Sequence, residues 1–131
     1  APGGWSYSAA KRGAKVTAVD NGELKAGARD NANIRRLSAD AFTFEPDRKY
    51  DWLFCDMVEH PNMVAKLLEK WIVKGWCRNF IVNLKFGRTN PVELLSKLTS
   101  PESLFKKRCL HFDMKHLYHD REEITLLGRL E

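Results

Sequence analysis

Five residues of this 131-residue chain stand where side-chain chemistry on an organic ligand would be expected: Asp20, Asp40, Asp56, Lys85 and Glu123. The first four close or follow strand-length apolar runs: Lys15–Asp20 (KVTAVD), Ile34–Ala39, Tyr50–Cys55 (YDWLFC) and Arg78–Lys85 (RNFIVNLK). In open parallel sheets ligands bind beyond the carboxyl ends of the strands, so four polar residues at four strand ends predict a site there. Glu123 begins the last strand, Glu123–Leu130, and an antiparallel return from the strand before it brings this acid to the same edge. An acid–lysine–acid cluster of Asp56, Lys85 and Glu123 results. Singly, each of the three also reads as an ordinary surface charge at a strand end.

A second set of residues suits a nucleoside. The Gly3-Gly4 turn lets backbone approach a ligand closely, and a helix beginning there offers free N–H groups to a carboxylate. Asp20, an acid at a strand end, can accept from both hydroxyls of an adenosine ribose, in a nicotinamide dinucleotide as well as in other cofactors. Pro-Gly-Gly-Trp is not the G-x-G-x-x-G pattern that packs a helix against pyrophosphate, which favours a ligand without phosphates. Asp40 can accept from an adenine amino group with Ala41 and Phe42 near the ring, or it can simply cap a turn.

The elements that must position these residues alternate. A helix from the glycine turn to about Arg12 stops at Gly13, and a weak helix follows Asn21-Gly22. From Asn62 to Lys74 the apolar residues Met63, Val64, Leu67, Leu68, Trp71 and Ile72 recur at helical spacing, with Gly75 beyond. Asn90-Pro91 opens a helix to about Leu98, Pro101 starts a shorter one, and strands Arg108–Phe112 and Glu123–Leu130 flank the polar stretch Met114–Arg121. The expected fold is α/β: a Rossmann-like, doubly wound, mostly parallel sheet with an antiparallel hairpin at one edge.

The length leaves room for one domain, residues 1–131, and for no second one. No apolar run approaches the ~18–20 residues of a membrane span and no signal-peptide pattern opens the chain, so a soluble cytoplasmic protein is expected. Net charge is +5, which suits a polyanionic partner such as RNA, although the basic residues are scattered and the longest run is Lys106-Lys107-Arg108. Lys11, Arg12, Arg88 and Arg121 are candidate phosphate contacts near the catalytic edge; Tyr118 and His119 could stack on a base, but a packed aromatic and a surface histidine are the better readings of them. Cys55, Cys77 and Cys109 are odd in number and far apart, which predicts reduced and mostly buried thiols. His116 and His119 are three apart with nothing to complete a metal site, so no metal is expected.

Five phrases then resemble a known family: Ala-Pro-Gly-Gly-Trp-Ser (1–6), Val-Asp-Asn-Gly (19–22), Cys-Asp-Met-Val-Glu (55–59), Asn-Leu-Lys (83–85) and Tyr-His-Asp-Arg-Glu-Glu (118–123). In this order and spacing they resemble the FtsJ-like ribosomal RNA ribose 2′-O-methyltransferases. With Gly75-Trp76-Cys77-Arg78, they look most like the bacterial branch acting on a cytidine of 23S ribosomal RNA. The resemblance implies S-adenosylmethionine as cofactor and a lysine–aspartate–lysine–glutamate tetrad. Three of its members fall on Asp56, Lys85 and Glu123, with Glu122 a poorer match than Glu123. It also implies cofactor contacts by Gly3, Gly4, Trp5, Asp20 and Asp40 and ribosomal RNA as partner; Ala41 and Asp56 are further cofactor-binding candidates, and the oligomeric state stays open with a monomer favoured. The family's first lysine and first strand precede the glycine turn, so the chain reads as a fragment of a longer protein, inactive or nearly so alone. Other S-adenosylmethionine enzymes, or a non-catalytic cofactor- or RNA-binding module, are the alternative readings.

Overall fold

The computed structural model describes residues 4–20, 32–116 and 123–131. Gly3, the weak helix after Asn21-Gly22, and Tyr118, His119, Arg121 and Glu122 lie outside the described residues. The chain divides into two compact units, Ala1–Glu45 and Pro46–Glu131.

The first unit is a helix and a parallel strand pair. Helix α1 (Gly4–Lys11) is followed by Gly13 at φ +91°, a conformation that a residue without Cβ adopts freely, and the chain turns back into β1 (Val16–Asp20). β1 pairs in parallel with β2 (Ile34–Ser38), Asp20 standing beside Ser38 in register. Ala10 of α1 packs on Ala18 and Ile34 with Val16 beside them, a small core that fits because alanines let helix and strands approach closely.

The second unit is a four-stranded mixed sheet of order β3-β4-β6-β5, comprising β3 (Tyr50–Cys55), β4 (Cys77–Lys85), β5 (His111–His116) and β6 (Glu123–Arg129). β3 and β4 run parallel, while β6 is antiparallel to both β4 and β5. Helix α2 (Pro61–Lys74) joins the parallel strands. His60 Nδ1 accepts from the Asn62 amide at its start, and Gly75 closes it in the left-handed region at φ +67°. Its stripe of Val64, Leu67, Leu68, Trp71 and Ile72 is buried, as the helical spacing predicts. Helices α3 (Val92–Thr99) and α4 (Leu104–Arg108) follow β4, with Asn90 Oδ1 and Ser103 Oγ each accepting a backbone N–H at a helix start.

Strand alternation sorts the sheet into two faces. Phe80, Val82 and Leu84 of β4 and Leu126 of β6 form the core with Phe105 of α4, all almost wholly buried. Phe80 packs on Phe105 and Phe112 at ring-centroid distances of 6.4 and 6.3 Å, and its ring covers Gly128. α4 thus covers this face, and α2 packs on β4 and α4. The opposite face carries Asp56, Asn83, Lys85, Glu123 and Thr125, together with Trp52 and Phe54, which stack at 5.7 Å and are about half exposed.

Three expectations need correction. The described sheets hold as many antiparallel as parallel pairings, because β6 inserts between β4 and β5. β5 runs His111–His116 rather than Arg108–Phe112: Phe112 and Met114 turn inward between exposed Asp113 and Lys115, whereas Leu110 is largely exposed. The short helix begins at Leu104, capped by Ser103, and not at Pro101. No helix among the described residues is long and apolar enough to cross a membrane.

Candidate active site

Parallel pairing of β3 and β4 sets Cys55 beside Val82, so Asp56, the next residue, emerges level with Asn83 at the carboxyl end of the pair. Lys85 is two residues further along the same face. Its Nζ lies 2.9 Å from Asp56 Oδ1, with the two side chains 31% and 39% exposed. The antiparallel register sets Glu123 directly opposite Lys85, and Glu123 is only 9% exposed. Side chains opposite one another in this way have Cβ atoms roughly 4.5–5.5 Å apart, within reach of a lysine and a glutamate. The structure therefore brings Asp56, Lys85 and Glu123 to one place on one face, half open to solvent.

Two further residues join them that the sequence reading passed over. Asn83 Nδ2 donates to Asp56 Oδ1 at 3.2 Å, and Thr125 Oγ1 donates to Asn83 Oδ1 at 2.8 Å. Both are buried. The signal was present in the period-two alternation, since Asn83 precedes Lys85 by two and Thr125 follows Glu123 by two, which places all four on one face. Cys55 lies beneath this site, and burial, with the neighbouring Asp56 carboxylate a lesser cause, pushes its thiol up to about 11. Among the described residues no group of three or more His, Cys, Asp or Glu side chains is placed to hold a metal.

The first unit holds the other predicted positions. Asp20 ends β1, and its carbonyl accepts from Ala39 N at 3.2 Å. Asp40 follows β2, where its Oδ1 accepts from Phe42 N at 2.9 Å while its carbonyl accepts from Thr43 and Phe44. Asp40 is thus a turn cap, as one of its two readings had it. A carboxylate has about four acceptor positions, so the cap leaves room for another donor. Ala41 lies within that turn, partly buried, and Gly4 and Trp5 open α1, where the first N–H groups of a helix have no intrahelical partner. Lys11 and Arg12 stand where α1 ends and the chain leads into the start of β1, at the other end of that strand from Asp20. Arg12 bends back onto the carbonyl and hydroxyl of Ser8. Arg88, exposed just past Gly87 at φ +56°, remains at the Lys85 end of β4.

Fold and site define an α/β protein with an acid–lysine–acid cluster at the carboxyl ends of adjacent parallel strands. Its sequence is similar to those of proteins named as ribosomal RNA methyltransferases. The chain is 42% identical to the Ribosomal RNA large subunit methyltransferase M of Psychromonas ingrahamii over 98% of its own length and 36% of that protein's. It is 44% identical to the proteins of the same name from Haemophilus influenzae and Pasteurella multocida, over 95% of this chain and 36% of each of theirs. The chain is homologous to these methyltransferases and spans about 36% of their length, which bears out the family resemblance of its motifs. No protein-family model matches it.

Proposed function

We propose that this chain carries most of the catalytic domain of an S-adenosylmethionine-dependent methyltransferase that modifies a ribose 2′-hydroxyl of 23S ribosomal RNA. The observation that carries the reading is the Lys85–Asp56 pair at 2.9 Å with Glu123 opposite in register, beside relatives named for ribosomal RNA methylation. Both units belong to one doubly wound domain in this reading.

The residues present fit the cofactor. Asp20 and Asp40 are acceptor carboxylates following neighbouring parallel strands, suited to the ribose hydroxyls and the adenine amino group, and Gly3, Gly4 and Trp5 would line the methionine end. When bound, S-adenosylmethionine supplies a methyl group activated by its sulfonium. With S-adenosylmethionine bound, Lys85 in its neutral amine form would take the 2′-hydroxyl proton at Nζ while Asp56 and Glu123 hold Nζ and the ribose in position, and the cofactor, having given up its methyl group, would leave as the neutral thioether. Selectivity for RNA follows, because the 2′-hydroxyl is the group DNA lacks.

The test is to incubate the complete gene product with methyl-labelled S-adenosylmethionine and unmodified 23S ribosomal RNA and to locate the label by nuclease digestion and mass spectrometry. Label on one ribose is expected. Label on a base, or on protein alone, would reject the assignment.

A further inference from the structure

Asp56 cannot by itself fix where Lys85 points, since a carboxylate on the end of a strand rotates about two side-chain bonds. Behind it stands a buried polar chain with a forced direction. An ionised carboxylate only accepts hydrogen bonds, so Asn83 must turn its Nδ2 toward Asp56, as the 3.2 Å contact has it. Oδ1 of Asn83 then faces away and needs a donor, which Thr125 Oγ1 supplies at 2.8 Å. Asn83 is 6% exposed and Thr125 7%, so water has little access to replace either bond. Asn83 and Lys85 both end on the same oxygen, Oδ1 of Asp56. Across the strand pair the four residues form a two-by-two set, Asn83 opposite Thr125 and Lys85 opposite Glu123.

We propose that Asn83 and Thr125 are positioning residues: the hydroxyl of Thr125 orients the Asn83 amide, the amide locks Asp56 Oδ1, and that oxygen sets Lys85 Nζ at the reacting hydroxyl. The proposal rests on the methyltransferase reading for its consequence and on the geometry above for its mechanism. A merely structural pair would be replaceable by any side chains filling the same space. A positioning pair depends on one hydroxyl hydrogen.

Thr125→Val keeps the β-branched shape and removes the hydroxyl, and Thr125→Ser keeps the hydroxyl. In the complete gene product, Thr125→Val should lower kcat by roughly ten- to a hundred-fold, the scale of a misplaced catalytic group. KM for the RNA and Kd for S-adenosylmethionine should hold steady, and Thr125→Ser should return most of kcat. Hydrogen exchange of the Asn83 side-chain amide, followed by NMR, reads the chain of bonds without catalysis: slow in wild type and Thr125→Ser, at least roughly ten-fold faster in Thr125→Val. Equal kcat in wild type and a folded Thr125→Val protein, equal losses in the Val and Ser variants, or unchanged amide exchange would each overturn the proposal. A wild-type protein that transfers no methyl group overturns the functional reading instead, and the amide exchange then decides the positioning chain by itself.

Discussion

At the residue scale, the proposed cofactor site leans most on Asp20, the acid that ends β1. Asp20, Asp56 and Lys85 announce themselves because an apolar run that stops on a charged residue reads as a buried strand reaching the sheet's edge. Asn83 and Thr125 do not, because an amide and a hydroxyl inside a strand look like ordinary sheet residues until the pairing register sets them opposite one another. Replacing Asp20 by Ala should weaken S-adenosylmethionine binding by about 1.5–3 kcal/mol, or roughly ten- to a hundred-fold, the worth of hydrogen bonds to a charged acceptor. Isothermal calorimetry would measure it, and unchanged affinity would remove Asp20 from the cofactor site.

The three thiols make a second residue-level prediction. Burial pushes Cys55 and Cys109 up to about 11 and Cys77 up to about 12 from an ordinary value near 9. All three are therefore protonated at about pH 8 and weakly nucleophilic. Cys55 and Cys77 should react with iodoacetamide only as the protein unfolds. The linkage has a definite sign: the folded state holds these protons more tightly than the unfolded chain. Their contribution to stability is complete below about pH 9 and is lost as pH rises toward 11–12. Urea midpoints that stayed flat across that alkaline window would contradict it.

At the element scale, helices were easier to read than the last strands. The α2 stripe and Gly75 fixed both its face and its end, because a helix repeats its signal over several turns. β5 was misplaced by a few residues because Cys109 and Leu110 are apolar without being inside the sheet, while the alternation His111 to His116 is only six residues long. The insertion of β6 beside β4 has a specific requirement at Gly128. A Cβ there would lie 2.1 Å from Phe80 Cζ, and Phe80 cannot give way because Phe105 and Phe112 pack against it. Gly128→Ala should therefore cost about 1–3 kcal/mol, an ordinary overpacking loss, measured by urea unfolding. An unchanged midpoint would mean that the aromatic cluster is looser than its buried packing implies.

At the scale of the whole molecule, the sequence disclosed alternating strands and helices and a resemblance running along nearly all of the chain. It did not disclose that the strands divide into a parallel pair and a mixed four-stranded sheet, because pairing partners are set by contacts distant in sequence. Composition was less informative than placement. A net charge of +5 is compatible with RNA, yet two of the four basic residues singled out for phosphate stand at the α1 end remote from Asp20. The clustering of Asp56, Lys85 and Glu123 carries more weight, since it needs β3 beside β4 and β6 beside β4 in one particular register.

That cluster is tested most directly by Lys85→Ala in the complete gene product, with methyl transfer to unmodified 23S ribosomal RNA and S-adenosylmethionine binding measured on the same preparation. Ribose methylation should be abolished while the cofactor binds as in wild type. Sustained turnover by a folded Lys85→Ala protein would contradict it.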